Sequence, residues 1–413
     1  MRFAFYTNLV SPHTAPLAKA LIAKYGEGVY VCQQHGGEPM RTSNILGGLE
    51  PNTLFECDSP EKVRSILESC DILLTGVRDF DLIQERINRG LFTAYQSERW
   101  FKPESLLSLG RSENGGCGLW VSGFWKMLLP FAFRRAKRIM QLFKSDKFVY
   151  LPIGVHAARD MARLCGLFAG DIRCLFSAPE LGFEKTSGGS IFSRVEMERG
   201  RKFCLDKMRM WGYYVEPSRK DALPVQEANN TSLTTNDYRL TTIRVLWVGR
   251  LLNWKRVDTI VRAVGEHANL KRVDDSLPKM TLDIYGTGPE ECQLKKMAAK
   301  YGDIIKFYPA VPITEVRKLM REHNVYVLSS NAFEGWGAVV NEALEEGMRV
   351  LGTRESGSSA TILPKSNLFN AGDWRKLSRL LGSSVPDVNI QEWSVDSAAR
   401  AFVELAGGVG DVK

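Results

Sequence analysis

The chain has 413 residues, 44% hydrophobic and 25% charged, the composition of an ordinary globular protein at a length that favours two or three domains. Its eight scattered cysteines include no C-x-x-C pair, which argues against a zinc site or disulfide scaffold and for reduced thiols in a cytosolic protein. No signal peptide or spanning-length apolar run is present, and a net charge of +8 with a sequence pI of about 9.0 favours an anionic partner: nucleotide, phospholipid surface or nucleic acid.

Arg2–Tyr6 reads as an opening strand, followed by the glycine-free loop Thr7–His13 and a helix over about Thr14–Tyr25. Val29–Cys32, Asp71–Thr75 and Leu91–Tyr95 continue as strands, with helices at Glu61–Glu68 and Phe80–Asn88. Strands alternating with helices imply a parallel α/β sheet. The pattern breaks at Gly110–Gly123, whose five glycines mark a loop. From Lys126 to Lys147, seven Lys or Arg residues stand against one acid, Asp146, mixed with Phe131, Phe133 and Phe143 and preceded by Trp125. This segment, 125–147, fits an interfacial amphipathic helix on anionic lipid, or a core-facing aromatic stripe with a solvated basic face. Phe148–Ile153 resumes as strand and His156–Leu167 as helix, and Arg209–Val215 is a compact aromatic stretch.

Leu223–Thr242 is polar, rich in Asn and Thr, and is the candidate linker. Beyond it the alternation restarts, with strands at Ile243–Val248, Thr281–Tyr285, Ile305–Tyr308, Val325–Leu328 and Arg349–Gly352. Helices fall at about Arg256–Gly265, Pro289–Lys300, Ile313–His323 and Ala338–Glu346, and the tail Ile390–Leu405 is helical. Two α/β sheet domains separated by a cleft are expected, and such clefts are usual ligand sites.

Strand ends in parallel sheets face the binding crevice. Ile243–Val248 runs into Gly249, Arg250 and then Lys255, a candidate clamp for a pyrophosphate with Arg250 as fork and Lys255 as point charge; a solvated basic loop is the alternative. Gly286-Thr287-Gly288-Pro289 follows the next strand, but Glu291 stands where a G-x-G-x-x-G fingerprint needs its last glycine. Asn331–Gly347, NAFEGWGAVVNEALEEG, is the most informative stretch: Glu334 in a loop, then Gly335, Trp336 and Gly337, then Glu342 inside a helix. Its glycines admit close backbone approach and the helix start favours an anion. Glu334 and Glu342 are then placed to hold hydroxyls on either side of a phosphate. Asp79-Phe80-Asp81 has the form of a metal-binding D-x-D, but it sits at a helix start, where a capping Asp is the better reading.

Gly249-Arg250 with Lys255, then GTGP, then EGWGAVVNEALEEG, in this order, resemble the donor domain of the retaining glycosyltransferases of family four, from about Ile243 to Asp373. The resemblance implies a GT-B fold of the α/β class, two Rossmann-like domains facing across a cleft. An N-terminal acceptor-binding domain would cover 1–222, a linker 223–242, a donor-binding domain 243–388, and a C-terminal helix 389–413 that packs back on the first domain. By the same resemblance Glu334 contacts donor-sugar hydroxyls, Glu342 contacts the ribose, and Arg250 and Lys255 neutralise the diphosphate leaving group. Gly249, Gly286, Gly288, Pro289, Gly335, Trp336 and Gly337 complete the implied donor site.

SPHTAPLAKAL (Ser11–Leu21), Tyr95–Lys102 and WGYYVEP (Trp211–Pro217) are similar to segments of bacterial members that build surface polysaccharides or lipopolysaccharide. Many relatives carry a catalytic-site His at the end of the strand Leu91–Tyr95; this chain has Ser97, Glu98 and Arg99 there. Glu98 is the candidate for orienting or deprotonating the acceptor hydroxyl, with pairing to Arg99 or Lys102 as the structural alternative. His13 is a candidate contact for acceptor or diphosphate, or a helix cap. Pro309 stands where relatives commonly have a glycine near the nucleotide base.

The expected activity is retaining transfer of a sugar from a nucleotide-sugar donor to a glycan or lipid-linked acceptor in cell-surface polysaccharide biosynthesis. No metal, other cofactor or nucleic-acid partner is expected. The expected location is the cytoplasm or, through 125–147, the inner face of the cytoplasmic membrane. A nucleotide-sugar epimerase or phosphorylase of the same fold, or a non-catalytic nucleotide-sugar or glycan binder, are the alternatives.

Overall fold

The computed structural model describes residues 1–11, 13–35, 46, 48–100, 130–170, 174, 181–186, 189–197, 208–211, 242–383 and 393–407. Two compact units emerge, Met1–Tyr214 with Glu392–Lys413, and Val215–Gln391. The expected linker, up to residue 241, and the glycine loop 110–123 lie outside the described residues.

The first unit is built on strands β1 (Arg2–Thr7), β2 (Glu27–Cys32), β3 (Thr53–Phe55), β4 (Ile72–Thr75), β5 (Phe92–Ser97) and β6 (Phe148–Pro152). They pair in the order β3-β2-β1-β4-β5-β6, all parallel. Every residue of β4, β5 and β6 is buried, as befits strands covered by helices on both faces. Those helices are α1 (Ala15–Tyr25), α2 (Pro60–Ser69), α3 (Phe80–Asn88), α4 (Pro130–Leu142) and α5 (Val155–Phe168). An antiparallel sheet of β7 (Leu181–Thr186), β8 (Gly189–Met197) and β9 (Arg209–Met210) follows. Asp79 caps α3, its carboxylate accepting from Leu82 N–H at 2.9 Å, so the D-F-D triplet has the capping geometry.

β5 runs two residues beyond its expected end, which makes Ser97 the buried last residue of the strand and Glu98 the first beyond it. Met208 and Trp211 run beside β6, bridging Tyr150 and Ile153. Buried Trp211 stands edge-on to Trp393 at 5.6 Å. From Trp393 the chain enters the last helix, α12 (Val395–Gly407), which packs on α1 and sets Phe402 edge-on to Phe3 and Phe92 at 6.1 and 6.4 Å. The C-terminal helix is therefore core of the first unit.

The second unit repeats the plan. Strands β10 (Thr242–Val248), β11 (Lys279–Tyr285), β12 (Ile305–Tyr308), β13 (Val325–Leu328), β14 (Arg349–Thr353) and β15 (Leu368–Phe369) pair in parallel as β12-β11-β10-β13-β14-β15. Alternation along β10 sends Val245 and Trp247 to one apolar layer and Leu246 to the other. The first layer is closed by α6 (Val257–Lys271), α7 (Glu291–Ala299) and α11 (Trp374–Gly382). α8 (Ile313–Glu322) and α9 (Val339–Glu345) close the second, and α10 (Gly357–Ile362) lies against β14. In both sheets the strand order reverses beside the first strand, which leaves a crevice at the carboxyl ends of β1 and β4, and of β10 and β13.

Candidate functional site

In the second unit the loops that leave β10 and β13 are tied across this switch point. Asn331 N–H donates to Trp254 C=O at 2.9 Å, and Ser329 Oγ donates to Lys255 C=O at 2.7 Å. These bonds bring together two residues 79 apart: Lys255 Nζ forms a close ion pair with the Glu334 carboxylate, which also accepts from Ser330 Oγ at 2.8 Å. Glu334 is only 9% exposed, so both charges are largely desolvated and depend on each other. Lys255 ends a short 3-10 turn, and Arg256 after it has φ 50, the only described non-glycine residue in the left-handed region. A salt bridge to Asp258 at 2.9 Å holds Arg256 in place. Arg250, on the same loop, is exposed and has no ion pair among the described residues. The sequence showed Lys255, Glu334 and Arg250; the two serines and Arg256 carried no pattern from which to find them.

The glycines of the expected donor site are required by backbone packing. A Cβ on Gly286 would lie 1.8 Å from Gly249 C=O, and one on Gly288 would lie 2.4 Å from Leu251 C=O. Gly249 N–H donates to Tyr285 C=O at 3.0 Å and Leu251 N–H to Thr287 C=O at 2.9 Å, so the loops after β10 and β11 interlock, with Pro289 in the second. Gly337, at φ +86, has Leu328, Ser358 and Glu334 around it, and Gly335 C=O accepts from Gly357 N–H at 3.1 Å. Trp336 is a peg: its indole is buried and donates to Asn341 Oδ1 at 2.9 Å, so only its backbone can meet a ligand. The helix behind this loop, α9, has seven residues. Its macrodipole is small, and the side-chain cations carry the electrostatics of the site.

Glu342 sits on α9 among charges. Arg317 pairs with Glu345 at 2.7 Å and Glu346 at 3.2 Å, and donates to the Glu342 backbone C=O at 3.1 Å. Burial pushes the Glu342 carboxyl up to about 7, against the pull of Arg317 and with the push of Glu345. The group therefore titrates near neutrality.

The first unit holds a cavity of about 1110 Å³ at its own switch point. Ser97 and Glu98 line it, together with Tyr6, Gln33, Glu56, Gln96, Arg78, Arg134, Arg135 and Arg138. Ser97 Oγ is hydrogen-bonded to Tyr150 OH at 2.8 Å and accepts from Trp100 Nε1 at 3.1 Å. Arg99 forms an ion pair with buried Asp160 at 3.5 Å and is not among the residues lining the cavity. His13 lies outside that wall too, its N–H on Ser11 Oγ at 3.2 Å. Within 125–147, Phe143 is buried against Phe148 and Tyr150, so it faces the core, as in the core-stripe reading.

Among the described residues one cluster has metal-ligand composition: His35, Cys57 and Asp58, after β2 and β3, with His35 Nε2 2.8 Å from Asp58 Oδ2. All three are exposed, and they are ordinary surface partners.

Two parallel six-stranded, doubly wound sheets in one chain define the class: this is the GT-B glycosyltransferase fold of two Rossmann-like domains. Residues 236–385 match the family of glycosyl transferases group 1. The chain is similar to the GtfA subunit of the UDP-N-acetylglucosamine–peptide N-acetylglucosaminyltransferase of Streptococcus pneumoniae serotype 4, 26% identical over 145 residues, or 33% of this chain and 27% of the relative. The GtfA subunit from Streptococcus agalactiae is 28% identical over 108 residues, 26% of this chain and 20% of the relative. The chain thus spans about a quarter of these relatives' length. In structure it resembles Anabaena HepE in complex with UDP-glucose (TM-score 0.52, 13% identity, 99% and 98% of the two chains). A UDP-forming trehalose-phosphate synthase from Burkholderia xenovorans is similar in fold (TM-score 0.51, 11% identity, 99% and 96%).

Proposed function

We propose that the chain is a retaining glycosyltransferase that moves a sugar from a nucleotide-sugar donor to a glycan or lipid-linked acceptor in cell-surface polysaccharide synthesis. The observation that carries it is the Lys255–Glu334 pair across the switch point of β10 and β13, with Arg250 on the same loop. Breaking a sugar–phosphate bond puts negative charge on the departing diphosphate, and fixed cations stabilise that charge without reorganising. Lys255 and Arg250 supply them. Glu334 orients Lys255 and accepts hydrogen bonds from sugar hydroxyls, and Glu342 does so from the ribose. In a front-face reaction the leaving phosphate takes the proton of the incoming hydroxyl, which Glu98 orients. Because the cations stand where the charge develops, no metal is assigned to the step, and chelators should leave turnover unchanged.

The names of the relatives and fold neighbours make a UDP-sugar the first donor to test. Incubated with an acceptor, the protein should release UDP and form a glycoside of unchanged anomeric configuration by NMR. An isomerised sugar nucleotide without acceptor would mark an epimerase, sugar 1-phosphate from inorganic phosphate a phosphorylase, and binding without turnover a non-catalytic receptor.

Among the described residues no helix is long and apolar enough to cross a membrane. Peripheral attachment to an anionic inner leaflet is the proposed location, supported by exposed Lys137 and Lys144. Lys137→Glu with Lys144→Glu should reduce sedimentation with phosphatidylserine vesicles; undiminished sedimentation defeats it.

A further inference from the structure

We propose that Arg317, on α8, is a positioning residue for the donor's ribose: it clamps the end of α9 that carries Glu342 and leaves that carboxylate open to ribose hydroxyls. The ribose rests on the glycosyltransferase reading; the clamp does not.

Glu342, Glu345 and Glu346 crowd three acids into five residues at the end of α9. Glu345 and Glu346 are buried, so each needs a cation beside it. Arg317 meets both, at 2.7 and 3.2 Å, and Arg321, one turn further along α8, takes the other oxygen of Glu346 at 2.7 Å. Arg317 Nη1 also donates to the Glu342 backbone C=O at 3.1 Å. Two guanidiniums thus serve two carboxylates. Among the described residues no hydrogen bond or ion pair reaches the carboxylate of Glu342.

The clamp acts on Glu342 in two ways. It pins the backbone from which the side chain springs, and its charge draws the buried carboxyl toward the ionised form, the one that only accepts hydrogen bonds. Glu345, on the same helix, pushes the other way. Of the other elements packed on α9, β13 contributes the buried Tyr326 phenol, which feels the Glu342 charge. Arg349 of β14 sends its guanidinium to Leu380 C=O, and α10 has no titratable side chain. Helix α8 starts directly after the loop 309–312 at the carboxyl end of β12. One guanidinium therefore joins the helix behind Pro309 to the helix that carries Glu342.

The test is calorimetric titration of the full chain with UDP, or with GDP or ADP where the unaltered protein binds one of them more tightly, and with its 2′,3′-dideoxy form, between pH 6 and pH 9. The ratio of the two affinities reads the hydroxyl contact alone. In the unaltered protein it should favour the ribose form and rise through about 7. Arg317→Gln should move that rise up by about one pH unit or more, so the preference is lost at pH 7 and regained at pH 9. Arg317→Lys keeps the charge and should move it less. Glu345→Gln removes the opposing charge and should move it down. In a Glu342→Gln background none of the three should change the ratio. Arg321→Gln loses an ion pair to the same Glu346 and should leave the rise in place, which separates ribose positioning from loss of stability. An unmoved rise in Arg317→Gln, or in Glu345→Gln should the first variant not fold, overturns the proposal; so does an equal shift in Arg321→Gln. Failure of UDP, GDP and ADP alike to bind the unaltered protein would instead defeat the glycosyltransferase reading, and the ribose assignment with it.

Discussion

Lys255 and Glu334 form one device. Each is the other's main compensation in a desolvated loop, so Lys255→Ala and Glu334→Ala should each cut transfer by about 10²-fold or more with the fold retained by circular dichroism. Because the residues touch, the double variant should lose much less than the product of the single losses; turnover near that of the unaltered protein in either single variant would sink the assignment. Glu342 gives a pH signature. A carboxyl that titrates at about 7 in the folded chain and near ~4.3 when unfolded keeps, between those values, a proton that the unfolded chain has lost. Stability therefore falls as pH rises through that window. Glu342→Gln removes the effect, and chemical denaturation at pH 8 should find it more stable than the unaltered protein by on the order of 1 kcal/mol, with little difference at pH 4. Ribose hydroxyls donate best to the ionised form, so UDP affinity should rise a few-fold from pH 6 to pH 8 relative to the Gln variant. The charged members of this site were legible because their spacing survives in sequence. Ser330 and the left-handed Arg256 were not, since a lone serine or a strained arginine has no periodicity to reveal it.

At the scale of elements, glycine at position 286 is a matter of two loops passing within contact. Backbone cannot swing aside as a side chain would, so Gly286→Ala should displace the loop after β10, destabilise the second unit by about 3 kcal/mol and abolish UDP binding. Gly302→Ala is the control: at φ +73 its added methyl meets nothing within 4 Å, and a cost of about 1 kcal/mol with UDP binding intact is expected. In the first unit Arg86 is fully buried and donates to Leu67 C=O at 2.5 Å, Phe92 C=O at 3.0 Å and Thr93 Oγ1 at 3.0 Å, which joins α2, α3 and β5. Arg86→Met leaves those acceptors without their donor and should lower the denaturant-derived stability by about 3 kcal/mol. Most strands and long helices could be read from alternation and apolar stripes. β3 and β15, three and two residues long, are too short to show a period. α10, sequence GSSATI, has no stripe. α11 does have one, Trp374, Leu377, Leu380 and Leu381 behind the capping Asp373.

For the whole molecule, the route of the chain matters most. It leaves the first unit at Tyr214, builds the second, and returns at Glu392. Cutting the chain before Trp393 should strip Phe402 from Phe3 and Phe92 and Trp393 from Trp211, so the truncated protein should aggregate or lose the first unit's unfolding transition in calorimetry. A second unit that still binds UDP in that truncation is expected; an unchanged first transition would show α12 to be dispensable. The division into units was legible from the polar stretch near residue 230; the return of the tail was implied only by the family resemblance and not by the residues themselves, because a helical tail looks the same whichever sheet it covers. The same route also orders events during synthesis. Strand β1 and α1 leave the ribosome before the second unit and α12 after it, so the apolar side of α1 that α12 covers stays bare while the whole second unit is being made. The later-encoded unit is thus free to finish folding before the earlier one, and the nascent chain carries its aggregation hazard on α1 until α12 has been made.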